Sequence, residues 1–366
     1  MNTNSNGKTP KYLRVKEHLL ELAAGQHWSA GQRLPSEHDL AREFEISRNT
    51  VRQALSELER EGIISRSRGR GTHFVQGSHL SVQRHFLISV WTSLADYIYP
   101  SIIRGAENVA ARAGYHLVIG SKAADRTKES FVTSETATWK PDGHLFEPRA
   151  QDLPLTRSHL AERLDAGEAP VVLLNWIVDD PEISYVSPDD IAAGAAVRLY
   201  LEARGHRRIG FLGQRGHGPS ELRYRGLRGG VLARPVDTLV RWVDEQSEPR
   251  PDTRAYVATM ELLALGDGRP TAIFYFNDHA AVHGYHAIRE AGLSIPEHIS
   301  VVGFDDHDLG RAVHPALTTM EHPKAKIGEW AARILLDQLD NPKSATPVHV
   351  LLPCRLIERG SVRSLP

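Results

Sequence analysis

At 366 residues the chain is longer than one typical domain, so two or three units are expected. Its 41% hydrophobic and 24% charged content is ordinary for a globular protein. No run approaches the ~18–20 apolar residues that cross a bilayer, and the opening MNTNSNGKTPKY lacks the apolar stretch of a secretory leader. The single cysteine, Cys354, excludes an internal disulfide and a cysteine-rich zinc site, and a cytoplasmic location is expected. The formal net charge of −1 points to no partner, but its distribution does. Residues 1–76 carry 12 Lys and Arg against 9 Asp and Glu, while the remainder carries 32 against 36. Arg66, Arg68 and Arg70 meet no acid between positions 62 and 76, which makes a local footprint for an anion.

Three helices and a hairpin are expected in the first 75 residues. Tyr12, Val15, Leu19 and Leu22 recur at helical spacing, and Gly25 and Gly31 bracket a loop. Pro35 and Ser36 open a second helix, with Ser36 as N-cap, Asp39 three residues on, and Leu40, Ala41 and Phe44 turned inward. Ser47 caps a third helix whose apolar face is Val51, Ala54, Leu55 and Leu58. Its opposite face presents Arg48, Asn49, Arg52 and Gln53, side chains suited to guanine and adenine edges or to phosphates. Gly62 fits the end of that helix. Residues 63–66 and 72–75 then form two short strands around the tip Arg68-Gly69-Arg70-Gly71. Two helices joined by a short turn, the second polar and basic outside, match the geometry that enters a major groove. A glycine-rich wing tip lets backbone approach a sugar-phosphate chain.

The run GQRLPSEHDLAREFEISRNTVRQALSELEREGIISRSRGRGTHFV resembles the GntR family of bacterial transcription regulators nearly end to end, over about residues 10–76. The resemblance implies a winged helix-turn-helix over 1–75 that contacts double-stranded operator DNA. Carried over by position, it assigns contacts to Ser36, Ser47, Arg48, Asn49, Thr50, Arg52, Arg70, Gly71 and Thr72, with Ser36 and Ser47 also capping their helices. His38 stands where some members carry Arg.

Residues 76–84, QGSHLSVQR, are polar without periodicity and are expected to be a linker. From 85 onward short β-rich runs alternate with helical segments. Strands are expected at 85–91, 115–120, 142–147, 171–174, 209–212, 238–243, 271–276 and 299–303. Helices are expected at 100–113, 190–204, 220–233, 252–265 and 278–291. This alternation predicts an α/β domain of parallel sheets flanked by helices, and its length predicts two lobes. Ligands of such sheets sit beyond the carboxyl ends of the strands. The residues falling there include Trp91, Ser93, Asp96, Tyr97, Glu147, Asn175, Trp176, Asn277, Asp278 and Asp305. Aromatic rings with carboxylates and amides suit a sugar, whose C–H faces stack and whose vicinal hydroxyls are forked.

The stretches PVVLLNW, ARGHRRIGFLG, ELRYRGL, PTAIFYFND and IPEHISVVGFDDHDLGRAVHPALTTMEHP resemble the effector-binding domain of the LacI/GalR repressors and, more broadly, type I periplasmic binding proteins. The similarity spans about 85–357, with a first lobe of about 85–183 and 318–341 and a second of about 184–317 and 342–357. It implies effector contacts from Asp305, Arg223, Asn277 and Asp278. The LacI-type headpiece and its hinge helix are absent, replaced by the GntR-like module.

Other constellations carry less. His279, His283 and His286 share a helical face by spacing, and Asp305, Asp306 and Asp308 cluster, but neither has the further ligands or glycine spacing of a metal site. Arg215-Gly216-His217-Gly218 lacks the Lys-Ser/Thr of a P-loop and is expected to be a plain turn. No Gly-x-Ser-x-Gly elbow or catalytic triad is present, so neither an enzyme nor a bound cofactor or metal is expected. The expectation is a homodimeric repressor answering a mono- or disaccharide. The alternatives are a purine or nucleoside effector, a sugar-metabolising enzyme joined to a DNA-binding head, and a solute-binding protein.

Overall fold

Apolar residues three and four apart give the N-terminal unit its helices, and short, near-continuous apolar runs give the second unit its central strands. The computed structural model describes residues 12, 14–16, 18–19, 32–60, 63–67, 71–74, 84–90, 97–121, 141–148, 156, 158, 160, 169–229, 237–244, 251–342 and 346–366. They belong to two units, Met1–Arg84 and His85–Pro366.

In the first unit, helix α1 (Glu37–Glu43) starts in a capping box. Ser36 Oγ accepts from the Asp39 amide at 3.2 Å, and the Asp39 carboxylate accepts from the Ser36 amide at 3.3 Å. Two of the donors left open at a helix start are thereby satisfied. Helix α2 (Arg48–Arg60) is capped by Ser47, whose Oγ accepts from the Thr50 amide at 3.2 Å. Leu40, Val51, Ala54, Leu55 and Leu58 pack with Val15, Leu19, Leu34, Ile63 and Ile64 into one core. Strands β1 (Ile64–Ser67) and β2 (Gly71–Phe74) pair antiparallel, Ile64 opposite Phe74. The Leu34 amide donates to the Thr72 carbonyl at 2.8 Å, tying the chain before α1 to the wing.

The second unit holds two six-stranded sheets. The first contains β3 (Arg84–Val90), β4 (Tyr115–Ser121), β5 (Gly143–Glu147), β6 (Val171–Leu174), β7 (Ser184–Pro188) and β13 (His349–Leu352), in the order β13-β7-β6-β5-β3-β4. The second contains β8 (Arg208–Arg215), β9 (Asp237–Asp244), β10 (Ala272–Tyr275), β11 (Ser300–Phe304), β12 (Thr318–Glu321) and β14 (Arg355–Ile357), in the order β14-β12-β11-β10-β8-β9. Its registered pairs are parallel except β12 with β14. Both orders reverse direction once, which leaves a crevice at the carboxyl ends of the strands flanking the reversal.

Alternate strand residues feed opposite faces. In the second sheet, Ile209, Phe211, Ala272, Phe274, Val302 and Phe304 pack beneath α4 (Asp190–Ala203) and α5 (Gly218–Arg228). Leu212, Ile273, Tyr275 and Val301 pack beneath α6 (Pro251–Leu263) and α7 (Asp278–Glu290). In the first sheet, Leu145, Val172, Leu174 and Val186 pack against α3 (Tyr99–Arg112) and a long helix over Lys324–Asp340. With the short α8 (Asp308–Ala312) intervening, that long helix is α9.

Three placements depart from the sequence expectation. Strand β7 joins the first sheet beside β6, although 184 was expected to begin the second lobe. Strand β12 pairs with β11 in the second sheet, not the first, and β13 pairs with β7 in the first sheet, not the second. None of these three strands was expected, since Ser184–Pro188 and Thr318–Glu321 are not apolar runs and a short strand does not specify which neighbour completes its hydrogen bonds. Strand β3 starts at Arg84, one residue before the strand expected from 85, while the two units divide between Arg84 and His85 as expected. The chain therefore passes between lobes at 188–190, 321–324 and 352–355. The Asp189 amide donates to the Leu352 carbonyl at 2.8 Å, joining two of these crossings. No helix among the described residues is long and apolar enough to cross a membrane.

Helices α4 and α5 cross at bare backbone. A methyl group on Gly194 would sit 2.1 Å from the Arg223 carbonyl oxygen, and one on Gly226 would sit 2.0 Å from that of Ile191. Gly226→Ala is expected to lower stability by about 1–3 kcal/mol, because the helices must separate to admit it; urea unfolding of the full chain reads this. His144 on β5 is 1% exposed with neither ring nitrogen hydrogen-bonded among the described residues, and burial pushes its pKa down to about 4. The unfolded chain therefore binds the extra proton first as pH falls. Stability is expected to decline from pH 6.5 towards 4, by at most about 1.4 kcal/mol per pH unit from this group. His144→Leu should flatten that part of a stability profile measured by urea midpoint, and an identical profile would refute the assignment.

Candidate functional site

In the first unit, α2 buries Val51, Ala54, Leu55 and Leu58 and leaves Arg48, Asn49, Arg52 and Gln53 exposed. The four polar side chains expected on one face are on one face. Arg52 is held by Glu37 of α1, Nη2 to carboxylate at 3.1 Å, and its carbonyl accepts from Arg66 Nη2 at 3.4 Å. Ser36 and Ser47 are exposed at the starts of α1 and α2. Gly71 has φ +93°, and a Cβ there would lie 2.7 Å from Arg33 Nε. Arg33, which bridges to His73, is a further cation at the wing that sequence reasoning passed over. Its signal was the basic residue directly before Leu34-Pro35. Arg68 and Arg70 lie outside the described residues, as do Trp91, Ser93 and Asp96.

In the second unit, a cavity of about 140 Å³ is lined from both lobes at the carboxyl ends of their strands. That is room for one small ring, by comparison with a cavity that holds benzene. Tyr97, Glu147 and Asn175 come from the first lobe, and Arg223, Asn277 and Asp305 from the second. These six expected residues are brought together. Trp176 and Asp278 are not among the lining residues. Trp176 is buried edge-on to His217, ring centroids 6.3 Å apart. Asp278 spends both oxygens on its own lobe, accepting from Thr319 Oγ1 and from the His307 amide, each at 2.7 Å. Burial, with Asp305 nearby, pushes its carboxyl up to about 8.

Arg223 is 4% exposed and fixed on three sides. Nε donates to Asp190 at 2.7 Å, Nη1 donates to the Phe276 carbonyl at 2.5 Å, and the Phe304 ring lies 3.4 Å from Cζ. Asp190 is fully buried; burial raises its carboxyl's pKa while Arg223 pulls the other way. Asp305 sits at φ +113° and accepts from the Tyr97 hydroxyl, while its carbonyl accepts from Lys324. Tyr97 stacks on His279 with centroids 4.7 Å apart and tilts against His307 at 4.1 Å, so a first-lobe ring rests on second-lobe side chains.

Asn175, in the left-handed region at φ +57°, is 3% exposed. Neither its Oδ1 nor its Nδ2 has a hydrogen-bond partner among the described residues. Buried amides are almost always bonded, so this one is an exception. Gln214, His217, Phe276 and His322 also line the cavity and were not expected there. The turn around His217 is more than a turn, since its Nδ1 accepts from the Ser220 amide at 3.3 Å and starts α5. Burial, with Arg223 nearby, lowers its pKa to about 3. His322 is likewise held neutral by burial, well below its usual range. The helical histidine face gathers no metal set: among the described residues no group of three or more His, Cys, Asp or Glu is placed to hold an ion.

Residues 11–74 match the model of the bacterial regulatory proteins of the gntR family, and residues 199–362 match the periplasmic binding protein-like domain. The chain is 32% identical over 368 residues to the arabinose metabolism transcriptional repressor of Geobacillus stearothermophilus, covering 97% of this chain and 98% of that one. It is 30% identical over 341 residues to the HTH-type transcriptional repressor CytR of Escherichia coli K12, covering 90% and 96% of the two chains. The crystal structure of a LacI family transcriptional regulator from Enterococcus faecalis V583 with bound ribose matches with a TM-score of 0.63 at 25% identity, over 77% of this chain and 100% of that one. Head, two-lobed domain and relatives agree: the chain belongs to the transcriptional repressors, not enzymes, that join a GntR-type DNA-binding head to a LacI/GalR-like effector-binding domain.

Proposed function

We propose that the effector is a sugar, that it binds in the cavity between the two lobes, and that the repressor acts as a homodimer on a pseudo-palindromic operator. The observation that carries the sugar reading is the buried, unpartnered Asn175 amide facing a space shared with two carboxylates, Glu147 and Asp305. A ring hydroxyl can donate to a carboxylate and offers an amide both a donor and an acceptor. Phe276 and Tyr97 offer faces for ring C–H groups. Trp91, Ser93 and Asp96, in the segment after β3, are assigned as further contacts. The relative named for arabinose metabolism and the regulator holding ribose support the same class of ligand.

In the head, Arg48, Asn49, Arg52 and Gln53 are assigned to base edges or phosphates. Ser36, Ser47, Thr50, Arg68, Arg70, Gly71 and Thr72 are assigned to the backbone. A dimer sets two such heads on half-sites about one helical turn apart. Effector binding favours one arrangement of the lobes and so biases the spacing of the heads. Such coupling requires the sugar to bind the two states unequally, typically by about 1–3 kcal/mol.

Asn175→Ala is expected to weaken sugar binding at least tenfold in calorimetry while operator affinity without sugar stays unchanged. Equal affinity in the variant would sink the site. Arg48→Ala is expected to weaken operator binding by about 1–3 kcal/mol and to relax discrimination at the base it reads. Footprinting against operator and scrambled DNA distinguishes this from loss of a phosphate contact, which weakens both alike.

A further inference from the structure

In the DNA-binding head, the backbone draws Arg33 into the wing. Its main chain bridges antiparallel to His73 of β2, and the next amide, that of Leu34, donates to the Thr72 carbonyl at 2.8 Å. Residues opposite one another in such a bridge carry their side chains on one face, and that face also receives the residue two positions along the strand. Position 71 therefore shares the face of Arg33, and it is glycine. A Cβ there would lie 2.7 Å from Arg33 Nε and 3.3 Å from both Cζ and Nη2, so the guanidinium occupies the space that a side chain at 71 would fill. Bare backbone at Gly71 thus lets an exposed cation extend along β2 to the residue that closes the Arg68-Gly69-Arg70-Gly71 tip.

Other cations of the head are neutralised. Arg42, Arg52 and Arg66 each meet a carboxylate, of Asp39 at 3.8 Å, Glu37 at 3.1 Å and Glu59 at 3.5 Å. Arg14, Arg33 and Arg48 meet none among the described residues. Arg48 opens the polar face of α2, while Arg33 stands between Ser36, three residues on, and the pair Gly71 and Thr72 across the bridge. We propose that Arg33 binds a DNA phosphate beside the wing and that Gly71 positions it there. This rests on the assignment of Ser36, Gly71 and Thr72 to the DNA backbone. A guanidinium with no acid beside it brings a full charge and unspent N–H donors to the phosphate oxygens, and these bonds are charge-assisted. Because the side chain is already held along β2, less freedom is lost on binding. Phosphates carry no sequence information, so the contact strengthens binding to any duplex alike.

The test is fluorescence-anisotropy titration of the full chain across a salt series, with a duplex that the chain enriches from a random-sequence pool and with a scrambled duplex of equal length. Arg33→Ala is expected to weaken both at least threefold and to make the plot of log affinity against log salt shallower by about 0.9, the share of one phosphate. Arg33→Lys keeps a point charge and is expected to keep the slope. An unchanged slope in Arg33→Ala, a loss confined to the enriched duplex, or a slope lost equally in Arg33→Lys overturns the phosphate contact. Arg70→Ala is measured alongside. If it too leaves the slope unchanged, the assignment of the wing to DNA falls; if it alone makes the slope shallower, only the role of Arg33 falls. Gly71→Ala is expected to weaken binding at least threefold more in the native background than in Arg33→Ala, where no side chain is left to displace. The strain of a side chain at φ +93° is common to both backgrounds and cancels. Equal losses overturn the positioning role of Gly71. Arg33 joins the bridge through its main chain, so Arg33→Ala is expected to keep the far-UV circular dichroism of the native chain. If it does not, Arg33→Gln, which keeps much of the stem, is put to the same slope test.

Discussion

The buried pair between Asp190 and Arg223 holds the effector domain in register. Asp190 opens α4 immediately after the chain first passes between lobes, and Arg223 lies on α5, clasped to it at 2.7 Å. The same guanidinium reaches the carbonyl at the end of β10 and covers the Phe304 ring at the end of β11. One side chain thus fastens a crossing segment, a helix and two strand ends. Such a pair adds little net stability, because desolvating two charges offsets their attraction. Losing one partner, however, strands the other and costs about 3–5 kcal/mol. Its contribution is geometric, since the charges have one arrangement that satisfies both.

That arrangement depends on glycine. Gly194 and Gly226 let α4 and α5 approach until a methyl on either would collide with backbone oxygen, and this closeness brings Asp190 within reach of Arg223. The first lobe uses the same device. Gly105 on α3 and Gly328 on α9 face backbone oxygens at 2.1 and 1.9 Å from where a Cβ would stand. Both lobes are therefore clamped by close helix pairs, which leaves the crossing segments and the cavity-edge contacts as the places where one lobe can move against the other.

The cavity edge carries two such contacts. Tyr97 lies on His279 and His307, and Trp176 lies against His217 and Gly218. Each sets a first-lobe ring on second-lobe side chains. The polar interior between them combines carboxylates, amides and neutral histidines with one balanced guanidinium.

Much of this was legible beforehand. The helix-turn-helix could be read because its signals are local: Ser36 and Ser47 cap within three residues, and α2 divides its faces at helical spacing. Five of the cavity residues, Tyr97, Glu147, Asn175, Asn277 and Asp305, could be read because they lie at or after strand ends, where ligands of parallel sheets sit, while Arg223 of α5 came from the family resemblance alone. By contrast, Asp278 follows a strand as well, yet its oxygens are consumed by Thr319 and the His307 amide, partners 41 and 29 residues away. His217, in a segment with the composition of a plain turn, lines the cavity. His322 does so because the chain passes between lobes there. The sequence by itself determined the helix-turn-helix and its faces, strands β3–β6 and β8–β11 and the family, since these follow from periodicity, caps and local motifs; β7, β12, β13, β14 and α9 were not announced. Only the tertiary structure decided which sheet each short strand joined, which polar groups were satisfied at long range and which were left facing the cavity. Those outcomes depend on partners distant in the chain, which no local pattern specifies.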